Sequence, residues 1–269
     1  MIIRTDHGEY LSNTVGSLDG AQQKWQSGDR FYKIDKYGYE SLAEMLVSEL
    51  EEHIIDFPHV NYYHELKIVN GKQERVCWSK NCKNDDEVEH TFYDILKKSG
   101  NWYKLQSLSG KDALEYVIRV VDNFMRKEGT REYLSRVFFL DAITLNSDRH
   151  LNNLSILVDK NGLSRFFPVM DNGLSLLANT KEYPLNLDLR SAMSLVICQP
   201  FNSSFERQCG YLRDCEKLKI NYNAFLDRID TALNNPEDYL YYGKPVFERM
   251  CKILQIRLRK LEGVVWERV

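Results

Sequence analysis

The chain has 269 residues and a mass of 31.6 kDa, with 43% hydrophobic and 28% charged residues, so it is long enough for a substantial core and, we expect, for two lobes. Its formal charge of -3 and pI of about 6.1 provide no overall basic field, which argues against generic binding to nucleic acid or anionic membranes. The charged start, MIIRTDHGEY, is unlike a signal peptide, and no apolar run is long enough to span a membrane. We therefore expect a cytoplasmic protein, with unconventional secretion left open.

The first eighty residues predict a small mixed lobe over 1–80. Three short runs are typical of strands: RFYKI (30–34), ELKIV (65–69) and ERVCW (74–78). The NGK sequence at 70–72, between the last two, is a hairpin signal. Between the first two runs, YESLAEMLVSELEEHI carries Leu42, Leu46 and Leu50 at helical spacing. Strands with one helix therefore make up this predicted lobe.

The remainder, 81–269, predicts a larger and mainly helical lobe. Strongly apolar helices are expected at 112–127 and 131–145, and a hairpin is expected at 154–170. Near the end, one helical stripe is formed by Phe247, Met250, Leu254, Leu258 and Leu261. The basic residues of that segment are more typical of a solvated face than of a nucleic-acid site. The predicted fold class is α+β.

A dense group of polar residues, NSDRHLNN (146–153), lies between the apolar helix and the hairpin. Asp148 and Asn153 are five residues apart, and Asp171 follows eighteen residues after Asn153. Phosphoryl transfer requires one Asp to orient the acceptor hydroxyl, with an Asn and a second Asp to hold Mg²⁺ on the phosphates of ATP. Turn chemistry explains any one of these residues by itself, but the three in this order favour a phosphotransferase.

The first lobe offers the other parts of a nucleotide site. The segment VGSLDGAQQKW (15–25) has Gly16 and Gly20 among small or polar residues, which suits backbone contact with phosphate. Lys33 lies in the RFYKI strand and is the candidate phosphate-binding lysine. Such a lysine normally pairs with a glutamate on the neighbouring helix. Glu40 lies slightly closer to the apolar face than Glu44, so the helical spacing favours Glu40 and leaves Glu44 open.

Two segments resemble motifs of a known family. SLDGAQQKW resembles the S-x-x-G-A-Q-x-K loop of HipA-like serine/threonine kinases, and NSDRHLNN with MDNG resembles their D-x-H-x-x-N and second-metal Asp motifs. D-R-H-x-x-N also resembles the catalytic loop of phosphoinositide kinases, which are related in fold. The matching segments run in order from about residue 15 to 175. Taken together, they are most similar to those of the short, stand-alone CtkA-like members of the family. It implies a two-lobed protein-kinase-like fold with ATP and Mg²⁺ between the lobes.

The resemblance also implies a role for each matching residue. It makes Asp148 the catalytic base, Asn153 and Asp171 the Mg²⁺ ligands, and Lys33 the phosphate-contacting lysine. It also places Gly20 in the nucleotide loop and His150 near the phosphates. Ser17 would be a loop serine whose autophosphorylation inhibits the enzyme. For His150 a loop-packing role is the alternative, and for Ser17 an ordinary loop serine. The adenine base would bond the backbone of 77–80.

The sequence therefore favours an ATP- and Mg²⁺-dependent serine/threonine protein kinase. A protein substrate is the expected partner, a cognate inhibitor or antitoxin stays open, and neither nucleic acid nor membrane is expected. An inositol-lipid acceptor is the first alternative, but 174–190 offers only Lys181 and Arg190 for a charged head group. A nucleotide-binding pseudokinase is the second, and the occupied catalytic positions argue against it.

Overall fold

The structure is a computed structural model that describes residues 2–4, 10–12, 22–201, 203–235, 239 and 241–269. The strands are β1 (Ile2–Arg4), β2 (Tyr10–Ser12), β3 (Lys24–Ser27), β4 (Arg30–Ile34), β5 (Tyr62–Val69), β6 (Lys72–Lys80), β7 (Val88–Thr91), β8 (Ser155–Val158), β9 (Ser164–Phe166), β10 (Leu218–Ile220) and β11 (Trp266–Arg268). The helices are α1 (Glu40–Glu52), α2 (Phe92–Lys98), α3 (Trp102–Gln106), α4 (Gly110–Met125), α5 (Thr130–Thr144), α6 (Leu189–Ser194), α7 (Phe205–Gly210), α8 (Tyr222–Asn234) and α9 (Lys244–Leu261), with a 3-10 turn at Leu151–Asn153.

The first lobe contains an antiparallel sheet with the strand order β3-β4-β6-β5. Its three predicted strands are present as parts or all of β4, β5 and β6. Asn70 and Gly71 both have positive φ, which a tight hairpin turn between two twisted strands requires. The expected hairpin therefore forms where the sequence predicts it.

The two faces of this sheet have different surroundings. Because successive side chains alternate across a strand, Tyr32 points to one face and Lys33 to the other. On the outer face, Tyr32 stacks on Trp25 with ring centroids 4.9 Å apart, within a small core of the sheet's own. On the inner face, Tyr62 and Cys77 pack against residues of the second lobe. Lys33 consequently points towards the space between the lobes.

Helix α1 is anchored to the larger lobe along its whole length. Its buried residues, including Leu42, Leu46 and Leu50, belong to the same core cluster as those of α4, α5 and α9. At its C-terminal end, the backbone N–H of Asn221 donates to the carbonyl of His53 over 2.8 Å. The apolar face of α1 therefore packs into the core of the second lobe, while the helix also lies against the first-lobe strands β5 and β6.

The loop before α1 also contacts the second lobe. Gly38 forms a bridge with Asn179, and the N–H of Tyr39 donates to the carbonyl of Ala178 over 3.1 Å. A Cβ atom on Gly38 would lie 2.3 Å from that Ala178 oxygen, so only glycine permits this approach. Both ends of α1 are thus held by backbone contacts across the lobes.

Asp35 caps the start of α1 from a buried position. Its Oδ1 accepts the backbone N–H of Ser41 over 2.7 Å, and the Nε of Arg75 lies 3.5 Å from its Oδ2. Burial nevertheless raises the pKa of Asp35 to about 7. The carboxyl group is therefore harder to ionise in the folded than in the unfolded chain.

This shift makes the stability contributed by Asp35 depend on pH. Because its folded pKa exceeds its unfolded pKa, its contribution is fully present below about pH 4 and is lost as the pH rises to about 7. Between pH 4 and pH 8, we expect the unfolding free energy of Asp35→Asn, which keeps an oxygen acceptor for Ser41, to rise by about 4 kcal/mol relative to that of wild type. Urea unfolding across that range measures this, with the surface change Asp86→Asn as control. If the difference in unfolding free energy between wild type and Asp35→Asn does not vary with pH, the pKa of Asp35 is not raised.

The larger lobe is built around α5, which is buried on almost every side. Helices α4 and α5 match the predicted helices at 112–127 and 131–145, and the predicted α9 stripe from Phe247 to Leu261 is buried. The predicted hairpin is present as β8 and β9, which join β7 in a small sheet. In the described part of the chain, no helix is both long enough and apolar enough to cross a bilayer.

Candidate active site between the lobes

The segment that follows α5 is folded by its own polar side chains. Leu145 ends the helix in a left-handed conformation, and the backbone N–H of Asp148 donates to Oδ1 of Asn146 over 3.1 Å. The amide of Asn153 then donates to the carbonyl of Asp148 over 3.0 Å. Asp148 and Asn153 are thereby held together just after the C-terminal end of the buried helix α5.

Asp148 itself faces the open side of this loop. Half of its side-chain surface is exposed, and its Oδ2 lies 3.9 Å from the Nε2 of His150. Partial burial raises the pKa of Asp148 above its ordinary value, while His150 opposes the shift and the Asp171 carboxylate adds to it. His150 and the carboxylate of Asp171 are therefore both near enough to Asp148 to act on its charge.

Lys33 makes three polar contacts, and the one with Asp171 connects the first lobe to the second. Its Nζ lies 2.6 Å from Oε1 of Glu44, 2.7 Å from Oδ1 of Asp171 and 3.2 Å from the hydroxyl of Tyr62. Burial by itself would lower the pKa of Lys33, but the carboxylates of Asp171 and Glu44 outweigh this and raise it well above its usual value. Lys33 is therefore firmly charged.

The preference for Glu40 as the partner of Lys33 is wrong. Glu40 lies in the first turn of α1, where its carboxylate accepts the backbone N–H groups of Lys36, Tyr37 and Gly38. Glu44 lies one turn further on, and its second oxygen accepts the N–H of Asn172 over 2.8 Å. The loop that folds over the helix start, which helical spacing does not reveal, decides between the two glutamates.

Lys24 is a second cleft lysine; it is the lysine that ends the S-x-x-G-A-Q-x-K match, and no role was predicted for it. It pairs directly with Lys33 across β3 and β4, so both side chains lie on the inner face. Its Nζ is 3.5 Å from Oδ2 of Asp171, and 43% of its side chain is exposed. Burial would raise the pKa of Asp171, but Lys24 and Lys33 hold it well below its usual range. If the turn between β3 and β4 is set at residues 28–29, the strand register pairs Lys24 with Lys33 and so indicates that Lys24 lies in the cleft.

Apolar side chains line the cleft beside the lysines. Phe31 lies two residues before Lys33 on the same strand and face, and it is partly exposed. Behind it, Tyr62 and Cys77 of the sheet pack against Leu157 and Phe167 of the larger lobe. The cleft therefore offers a planar aromatic ligand group an apolar surface, next to the cationic surface of the two lysines.

The proposed base contact through the backbone of 77–80 does not agree with the sheet. Cys77, Trp78 and Ser79 pair with β4 on one side and with β5 on the other, which occupies their backbone groups. Beyond Lys80 the chain leaves the sheet, and the N–H of Asn81 donates to the carbonyl of Asp29. The connection between the lobes therefore starts after β6.

The remaining expectations concern two residues of the nucleotide loop and the two metal ligands. Ser17 and Gly20 lie outside the described residues, so their predicted roles stay predictions. Within the described part of the chain, no three His, Cys, Asp or Glu side chains meet in a group that could hold a metal ion. Asn153 and Asp171 are oxygen ligands of the type that Mg²⁺ uses together with phosphate oxygens.

Comparison with known proteins concerns the fold. No protein-family model and no curated protein sequence matches the chain. Among solved structures, it is similar to the proinflammatory kinase CtkA of Helicobacter pylori, with a TM-score of 0.65 and 14% identity over 95% of this chain and 94% of that one. The HipA of Shewanella oneidensis MR-1, solved in a complex with HipB and operator DNA, matches with a TM-score of 0.43 and 12% identity over 94% of this chain and 67% of that one. The chain therefore has the two-lobed α+β fold of the kinase CtkA, as its resemblance to HipA-like kinases predicts.

Proposed function

We propose that this protein is an ATP- and Mg²⁺-dependent kinase that phosphorylates serine or threonine hydroxyls of proteins. The observation that carries the proposal is the contact of Lys33 with both Glu44 and Asp171, because it joins the first lobe to the loop that follows the catalytic segment. Asp148 and Asn153 are held together on the larger lobe, and the carboxylate of Asp171 is near enough to raise the pKa of Asp148. A lysine, its glutamate and these oxygen groups are the parts that phosphoryl transfer requires.

The side chains of the cleft suit a nucleoside triphosphate in chemical type. Lys24 and Lys33 place two cations side by side, which fits a chain of phosphates better than a single one. Phe31 offers an apolar surface to the base. Asp171 and Asn153 would hold Mg²⁺, which neutralises charge on the phosphates when it is bound.

Asp148 would act on the acceptor hydroxyl. Its carboxylate accepts a hydrogen bond from the hydroxyl and takes up the proton as the oxygen bonds to the γ-phosphorus and the bond from that phosphorus to the β-phosphate oxygen breaks. ADP then carries the electron pair away. The exposed position of Asp148 leaves room for a side chain from another protein.

Lys24 provides a test of this assignment that hardly affects the fold. Because its side chain is partly exposed, Lys24→Met should leave the melting temperature almost unchanged and raise the KM for ATP about tenfold, the loss expected for a contact with a charged phosphate. Steady-state kinetics measures this. Lys72→Met, on the same sheet at the β5–β6 turn, is the control and should behave as wild type. An unchanged KM in the Lys24 variant would remove Lys24 from the site.

The proposed activity itself is tested with ATP labelled on its γ-phosphate. We expect Mg²⁺-dependent transfer of label to serine or threonine of the protein or of a generic protein substrate. Vesicles containing phosphoinositides, present in a parallel reaction, should remain unlabelled. Label in the lipid would indicate a lipid kinase instead, and nucleotide binding without any transfer would indicate a pseudokinase.

A further inference from the structure

Asn172, the residue after Asp171, makes polar contacts with both α1 and the catalytic segment. Both its side chain and that of Glu51 are 0% exposed. The Asn172 amide nitrogen donates to Oε1 of Glu51 over 3.3 Å, and its oxygen accepts from Nη2 of Arg149 over 2.6 Å. Its backbone N–H binds Glu44, as described above. Contacts from α1 and from the catalytic segment thus meet on one side chain.

Arg149 extends these contacts to α5. It follows Asp148 in the chain and is almost completely buried. Its Nε and Nη2 both lie 3.0 Å from oxygens of Asp141, and its Nη1 donates to the carbonyl of Met170. Because Met170 and Asn172 flank Asp171, Arg149 holds the chain on both sides of that residue.

Glu51 has no role in the proposed chemistry and yet occupies the core. It lies seven residues after Glu44 on α1, on the same helix face. Its second oxygen, Oε2, is buried and has no hydrogen-bond partner among the described residues. Burial raises the pKa of Glu51 well above its ordinary value, with Arg149 opposing the shift. A buried carboxyl group with one good contact suggests that this contact, to Asn172, matters.

The backbone of Asp171 explains why such contacts are needed. Its φ of 62° is uncommon for a residue other than glycine. A strained conformation of this kind persists only where the surroundings determine it, and it is typical of functional sites. The contacts of Asn172 and Arg149 act on the two residues adjacent to this strained position.

We propose that Glu51, Asn172, Arg149 and Asp141, here called the Asn172 cluster, are positioning residues that hold Asp171 in its left-handed conformation opposite Asp148. None of the four touches substrate in this assignment. The inference deepens the proposed function, since it concerns the placement of the proposed metal ligand. It also predicts that the cluster holds the backbone at 170–173 in place, which can be tested without measuring phosphoryl transfer.

Three variants separate positioning from stability. Glu51→Leu and Asn172→Ala remove the contact from either side, and Glu51→Gln keeps an oxygen that can accept from Asn172. Arg257→Met is the matched control, because Arg257 is also buried and bonds α5 through the carbonyl of Ala142, on a different helix. All are compared with wild type by melting temperature, by hydrogen exchange and by nucleotide binding as a function of Mg²⁺ concentration.

We expect Glu51→Leu and Asn172→Ala to increase amide exchange at 170–173 at least tenfold and to raise the half-saturating Mg²⁺ concentration about tenfold. Glu51→Gln should keep the exchange rate and the half-saturating Mg²⁺ concentration near their wild-type values. Arg257→Met should lower only the melting temperature. If Glu51→Leu does not fold, Asn172→Ala alone decides. Unchanged exchange at 170–173 in a folded variant overturns the inference. Wild-type protein that neither binds nor uses Mg²⁺ and ATP would instead overturn the proposed function, while the exchange measurement still decides on the cluster.

Discussion

Asp148→Asn is expected to reduce phosphoryl transfer by a factor of about 10³, within the range contributed by a positioned general base. The amide cannot take up the proton of the acceptor hydroxyl, although it occupies the same volume. Since Asp148 is half exposed and the negative charge of Asp171 disfavours its ionisation, loss of its charge should not lower the melting temperature. Nucleotide binding should also persist. The expected result is therefore a folded protein that binds ATP and transfers phosphate slowly.

The measurement is the single-turnover rate of label transfer at saturating Mg²⁺ and ATP. Asp214→Asn, at a highly exposed carboxylate elsewhere on the surface, controls for the change of charge and should transfer at the wild-type rate. A rate for Asp148→Asn within a factor of three of wild type would show that Asp148 is not the base.

Lys33→Met is expected to affect both stability and activity. The substitution leaves the carboxylates of Glu44 and Asp171 without their buried cation, which costs about 3–5 kcal/mol. For a chain of this length we expect a melting temperature lower by roughly 10 °C. Transfer should fall at least a hundredfold, because the phosphate contact and the placement of Asp171 are both lost. Calorimetry and label transfer measure the two effects.

A second substitution separates these effects of Lys33. In Lys33→Met with Glu44→Gln, the buried charge of Glu44 is gone and Asp171 still has Lys24 beside it, so part of the lost stability should return while transfer stays low. Glu40→Gln provides a comparison at the glutamate that caps the loop before α1 and does not bind Lys33. Recovery of transfer together with stability in the double variant would mean that Lys33 only maintains the fold.

Much of the fold could be predicted because its elements have strong local signals. The strand pattern of β4, the turn before β6 and the apolar stripe of α9 each depend on residues close in sequence. The order of Asp148, Asn153 and Asp171 could also be recognised, since polar residues with that spacing between apolar elements are uncommon. The structure places Asp148 beside Asn153, with Asp171 near enough to act on the charge of Asp148, and their roles remain proposals.

Contacts between distant segments could not be predicted in the same way. Glu40 and Glu44 differ by one helical turn, and the choice between them depends on the fold of the loop at 36–38. Asp141 interrupts an apolar helix in the sequence, but its partner, Arg149, is apparent only once the chain has turned at Leu145. Helix α1 lies in the predicted first lobe, and its position in the chain does not reveal that its apolar face packs into the core of the second.

The structure of the protein with Mg²⁺ and a non-hydrolysable ATP analogue tests the central claim most directly. We expect the phosphates between the lobes, with Lys33 bonded to a phosphate oxygen and with Asp171 and Asn153 both coordinating Mg²⁺ at about 2.0–2.1 Å. The carboxylate of Asp148 should point to the γ-phosphate from the side open to solvent. A nucleotide bound elsewhere, or a cation that touches neither Asp171 nor Asn153, would contradict the proposed site.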